Sequence, residues 1–117
     1  MNNASKFKRY YCYPHKEVRE FIEGFKRFDK NGEVTRTFSN GYCYYFAFIL
    51  GVRFCHSQIM YYPVGKHFAC EIDGRIYDIT GDITEKNLSF VPWEEYFREE
   101  QDDAVEVITK CIMKTGI

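Results

Sequence analysis

No Cys-x-x-Cys pair occurs in this chain, and no apolar run is long enough to span a membrane. The five cysteines (Cys12, Cys43, Cys55, Cys70 and Cys111) are widely scattered and odd in number, and no signal peptide is legible. That argues against a disulfide framework and against export, and fits reduced thiols in a cytoplasmic protein. Bulk charge is missing too. Lys and Arg number 16 against 17 Asp and Glu, so the formal net charge of −1 points to no class of partner. There is no internal repeat, low-complexity tract or linker. The 117 residues, 45% hydrophobic, therefore read as one domain over 1–117 with a single core. Residues 1–15 read as an extended or partly disordered N-terminus.

What charge there is lies unevenly. Residues 1–36 hold nine Lys/Arg against five Asp/Glu, a local +4, and the remainder carries −5. Lys6-Phe7-Lys8-Arg9-Tyr10-Tyr11 interleaves basic and aromatic side chains as single-strand nucleic-acid binders do. It is short and no nucleic-acid motif accompanies it, so a solvated terminus is the better reading. Aromatic residues are abundant, with 11 Phe and 10 Tyr. They can fill a thick core, and tyrosines can also line a groove.

The chemistry-bearing residues begin at Ser39-Asn40-Gly41-Tyr42-Cys43, which opens an apolar stretch running to Gly51. Ser39 and Asn40 are good N-caps and Gly51 a good stop, so the pattern predicts a helix buried on most sides. Cys43 falls in its first turn. Unpaired backbone N–H groups and the positive end of the helix dipole favour a thiolate there, and the same N–H groups could hold an oxyanion. Cys43, Ala47 and Leu50 share a face. The alternative is that Cys43 is one more buried hydrophobe.

A hairpin follows. Gly65 to Ile72 reads as a strand, Asp73-Gly74 as a two-residue turn, and Arg75 to Thr80 as the returning strand. With that turn Ile72 pairs with Arg75, so Ala69 lies opposite Asp78. His67, Ala69 and Asp78 then share one face, with His67 and Asp78 diagonal neighbours roughly 7 Å apart at the backbone. A carboxylate so placed can bind one imidazole nitrogen and leave the other as a base. A three-residue loop would break that register. The other face carries Phe68, Cys70, Ile72, Tyr77 and Ile79, all core-like.

Cys55, His56, His67 and Cys70 have the residue types of a zinc site, but His67 and Cys70 point to opposite faces of one strand, so no metal or other cofactor is assigned. His15 and His56 read as surface histidines. The rest reads as scaffold. Val18, Phe21, Ile22, Phe25 and Phe28 mark an amphipathic helix over Lys16–Phe28, and 29–40 a polar connection. Ile59 to Tyr62 suggests a strand, Pro92 a helix start, and Val105, Ile108 and Ile112 a final helix or strand. The fold class is α+β, with the Cys43 helix packed on an antiparallel sheet.

The pattern Gly41-Tyr42-Cys43 with Ala47 and Leu50, then His67 through Glu71, Gly74 and Tyr77-Asp78, resembles the catalytic core of papain-like cysteine enzymes. It is nearest their transglutaminase-like branch, and is similar to small papain-like proteins of bacteria and their phages. The resemblance covers about residues 39–81. It implies Cys43 as nucleophile, His67 as general base and acid and Asp78 as orienting residue, acting on an amide or ester carbonyl through an acyl-cysteine. The Asp-Cys-Ser-Gly start of peptidoglycan-cleaving relatives is absent, as is the glutamine that precedes the nucleophile in papain. Asn40, Gln58 or a tyrosine hydroxyl would supply the second oxyanion donor, with Asn40 preferred.

Two function classes follow. One is a thiol hydrolase or acyltransferase acting on a peptide, protein or other amide-containing substrate. The other is a non-catalytic module of the same fold that binds a protein partner, such as a phage or bacterial inhibitor of a host factor. An open cleft at the Cys43 sulfur would favour the first.

Overall fold

The computed structural model describes residues 14–27, 29, 31–39 and 41–114. The basic-aromatic segment at 6–11, Cys12, Phe28 and Asn40 therefore lie outside the described residues.

The chain runs through α1 (His15–Phe25), α2 (Glu33–Ser39), α3 (Cys43–Arg53), β1 (Ser57–Tyr62), β2 (His67–Ile72), β3 (Arg75–Asp78), β4 (Gly81–Asp82), a 3-10 turn at Thr84–Lys86, β5 (Val91–Pro92), α4 (Trp93–Glu99) and α5 (Gln101–Lys114). The five strands form one antiparallel sheet in the order β4-β3-β2-β1-β5. Among the described residues no helix is long and apolar enough to cross a membrane. The class is α+β, with α3 packed on β1 and β2 as expected.

The hairpin register is the one the turn chemistry dictates. Ile72 pairs with Arg75, Glu71 with Ile76 and Cys70 with Tyr77. Asp73 and Gly74 sit at φ 49° and 82°, the two positive values that a type I′ turn requires. The alternation of β2 and β3 then sends Phe68, Cys70, Ile72, Tyr77 and Ile79 into the main core beside Phe46 and Leu50 of α3. Tyr44, Phe68, Tyr61 and Trp93 continue that core as a chain of edge-on and tilted rings 4.7–5.1 Å apart.

Several local expectations are corrected. The segment 29–40 contains α2, whose first turn is held by Asp29: Val34 N–H donates to Oδ1 at 2.8 Å and the Thr35 hydroxyl to Oδ2 at 3.1 Å. Ser39 therefore ends a helix instead of capping the next one. Gly41, at φ 122°, turns the chain, and the cap position of α3 is Tyr42, with no side-chain capping bond. The helix also runs past Gly51 to Arg53 and is less enclosed than expected, because Phe48 and Val52 are 52% and 70% exposed. Helix α1 ends at Phe25, with Val18 and Ile22 as its buried pair. In α5 the buried stripe is Ala104, Val107 and Cys111, while Val105 faces solvent. His15 is not a free surface residue: its Nδ1 lies 2.6 Å from the Tyr77 hydroxyl and ties α1 to the sheet.

Candidate functional site

Cys43, His67 and Asp78 meet where the first turn of α3 abuts the start of β2. Asp78 Oδ2 accepts from His67 Nε2 at 2.8 Å, so Nε2 carries the proton in this pairing and Nδ1 is left for the thiol. The groups that favour a thiolate at Cys43 are the His67 imidazole, the Phe68 backbone N–H and the Cys43 N–H itself. Tyr42, at the cap position of α3, makes no side-chain capping bond, and the positive end of the helix favours an anion at Cys43.

The electrostatics follow from these contacts. Burial pushes the Cys43 thiol up, but the His67 hydrogen bond, the Phe68 N–H and the imidazolium charge outweigh it, and the thiol lies below its ordinary value. The Asp78 hydrogen bond, then the one to Cys43, raise His67 to about 9 against the opposing effect of burial. Burial likewise pushes Asp78 up, and the donors from His67 and Thr80 hold it below the usual carboxylate range. Together they favour a thiolate beside an imidazolium.

Asp78 is held from behind by Thr80, a residue absent from the site expected on sequence. The Thr80 N–H and hydroxyl both donate to Oδ1, at 2.8 and 2.5 Å, which aims Oδ2 at the imidazole. The signal was present in Asp78-Ile79-Thr80-Gly81-Asp82-Ile83-Thr84, where a short Asp-x-Thr unit occurs twice. The second copy does the same for Asp82. Thr84 donates to its Oδ1, and Oδ2 accepts from Arg75 Nε at 2.9 Å, bracing the hairpin that carries His67 and Asp78.

A cleft of about 320 Å³ is lined by Cys43, His67 and their neighbours Gly41 and Lys66, with Asp103, Val107 and Cys111 of α5 on another side. Cys43 itself is only 6% exposed, so approach is through this cleft. Among the described residues no tyrosine lines it; Tyr61 and Tyr77 lie in the core, with Tyr44 and Tyr96 packed against it. The contribution of α5 was also not foreseen, because α5 follows the triad segment by more than twenty residues and only packing brings it there.

The other candidates fall elsewhere. Gln58 lies opposite Glu71, at the end of β1 remote from His67, which pairs with Tyr62. Four residues of strand, about 13 Å, separate it from the site. Tyr61 has a buried hydroxyl without a hydrogen-bond partner among the described residues. Cys70 is in the core, where burial pushes its thiol up to about 11. His67 is committed to Asp78 and Cys43, and among the described residues no group of three or more His, Cys, Asp or Glu could hold a metal ion.

The architecture thus defines a class: a small α+β domain whose helix-borne cysteine meets a histidine–aspartate pair on adjoining strands. Within it, the chain belongs to the family of phage YunG-like proteins, whose family model matches residues 20–109. No curated protein and no solved structure matches it.

Proposed function

We propose that the protein is a thiol-dependent hydrolase or acyltransferase with a papain-like core, nearest the transglutaminase-like branch. It would act on an amide or ester bond of a peptide, protein or other amide-containing substrate in the cytoplasm. The observation that carries this reading is the chain from Asp78 through His67 to Cys43, whose thiol lies below its ordinary value and which lines a cleft.

In this reading His67 Nδ1 takes the thiol proton and the Cys43 thiolate attacks the carbonyl carbon. The carbonyl electron pair moves to oxygen, where the Cys43 backbone N–H is one donor and Asn40 is the candidate for the second. Collapse breaks the bond to the leaving nitrogen or oxygen, which takes the proton from His67. Water or an amine, deprotonated by the same nitrogen, then releases the acyl group from sulfur. Asp78 keeps the imidazole in the tautomer this needs and does not itself transfer a proton. No cofactor is required.

The test is acylation by p-nitrophenyl acetate, followed by peptide mass spectrometry. The reading expects one acetyl group on Cys43, its formation slowed in His67→Ala and absent in Cys43→Ala. Acetylation confined to lysines, unchanged in both variants, would overturn it. A binding module is the second reading, favoured by the exposed apolar pair Phe48 and Val52 on the outer face of α3.

A further inference from the structure

The cleft beside Cys43 is bordered by ionised groups that differ in how they are engaged. On α5, Asp103 accepts a short hydrogen bond from the Tyr96 hydroxyl, and Glu106 pairs with Lys110 at 3.1 Å. Across the cleft the Cys43 thiolate and the His67 imidazolium compensate each other. Lys66 is the exception: it is exposed at the rim, and among the described residues its ammonium enters no ion pair.

The backbone at Lys66 is unusual in the same direction. It sits at φ 51°, in the left-handed region where glycine or asparagine would be at ease and lysine is not. A glycine is available one residue earlier, at Gly65. A side chain there would meet the Tyr62 ring at 2.9 Å, so the turn from β1 to β2 is packed closely at that point. The chain therefore places a strained lysine next to His67, on the lip of the cleft, where an uncharged small residue would fit the backbone better. Gly41 on the neighbouring wall carries no side chain to obstruct it.

From these observations, and resting on Cys43 as the nucleophile, we propose that the cleft selects an acyl donor bearing a carboxylate close to its reacting carbonyl, with Lys66 as the residue that holds it. The adjacency of Lys66 and His67 sets the distance: an anionic group within a residue or so of the reacting carbon comes within reach of the flexible lysine stem. Lys66 acts here as a specificity residue and takes no part in the proton transfers.

Two alkylating reagents of almost equal size separate the possibilities, iodoacetate with a carboxylate and iodoacetamide without one. The quantity read is the ratio of their rate constants at Cys43, by peptide mass spectrometry at low ionic strength. In Lys66→Met and Lys66→Gly the ratio of iodoacetate to iodoacetamide rate should fall about fivefold, and Lys66→Arg should retain it. Lys66→Gly relaxes the backbone, so a folding defect cannot mimic that result. An unchanged ratio in both variants overturns the assignment of Lys66 while leaving the nucleophile intact. If neither reagent modifies Cys43 in the folded protein, the nucleophile reading falls and this proposal falls with it.

Discussion

Asp78 and His67 stand eleven positions apart in the chain, and the carboxylate Oδ2 of one accepts from Nε2 of the other at 2.8 Å. The pair is mostly shielded from solvent, and Thr80 occupies the second carboxylate oxygen. The bond therefore both orients the imidazole and favours its charged form.

That charge makes stability depend on pH. His67 titrates near 9 when folded against an ordinary 6.5, so its attraction to Asp78 is fully present below about pH 6.5 and is lost as pH rises through about 9. Asp78→Asn removes the attraction and should destabilise the fold by about 2 kcal/mol near pH 6. Chemical denaturation of both proteins across the range should show the gap narrowing on the alkaline side. It should narrow again in acid, where Asp78 itself becomes protonated. A gap independent of pH would mean that His67 is neutral in the folded protein.

Alkylation by iodoacetamide should single out Cys43. Its titration should fall below the free-thiol value of about 8.5, and in His67→Ala it should return towards that value. Exposed Cys55 is the internal control and should react alike in both proteins. Buried Cys70 should react only after denaturation. Resistance of Cys43 in the native state would redirect the search from substrates to binding partners.

Tyr61 offers a prediction of the opposite sign. Its ring is wholly buried against Phe68, Trp93 and Tyr96, but its hydroxyl has no partner among the described residues. Tyr61→Phe keeps the packing and removes an unsatisfied donor, so thermal unfolding should move upward by the equivalent of about 1 kcal/mol. Loss of stability would show that the hydroxyl is satisfied, for instance by a buried water.

Gly74→Ala probes the turn that sets the register. At φ 82° an alanine Cβ meets no neighbour but is strained by the backbone itself, at a cost of about 1–2 kcal/mol. Denaturant titration should report that loss, and Gly74→Asn should suffer less of it. Equal stability of all three proteins would argue against a type I′ turn.

The hairpin was legible because its information is local. A two-residue Asp-Gly turn determines the pairing, and strand alternation then decides which side chains share a face, bringing His67 to Asp78 without reference to the rest of the chain. Burial of Phe68, Cys70, Ile72, Tyr77 and Ile79 follows from the same alternation. Thr80 is equally local, since the Asp-x-Thr turn that holds Asp78 spans three residues.

Other features were decided by tertiary packing. Ser39 has the chemistry of a cap, but a cap is a position as much as a residue type, and Ser39 ends one helix while Tyr42 holds the cap position of the next. The start of β2 supplies the Phe68 N–H and the His67 imidazole to a cysteine more than twenty residues earlier, and no spacing rule encodes that encounter. The cleft is the clearest case. Its α5 wall depends on how Ala104, Val107 and Cys111 bury against the ring stack, a balance of many small contacts between distant segments. Sequence alone determined the elements that carry Cys43, His67 and Asp78, because turn chemistry and periodicity act over a few residues. Their meeting, and the space in front of the sulfur, came only with the packed core, where side-chain volumes from the whole chain must fit at once.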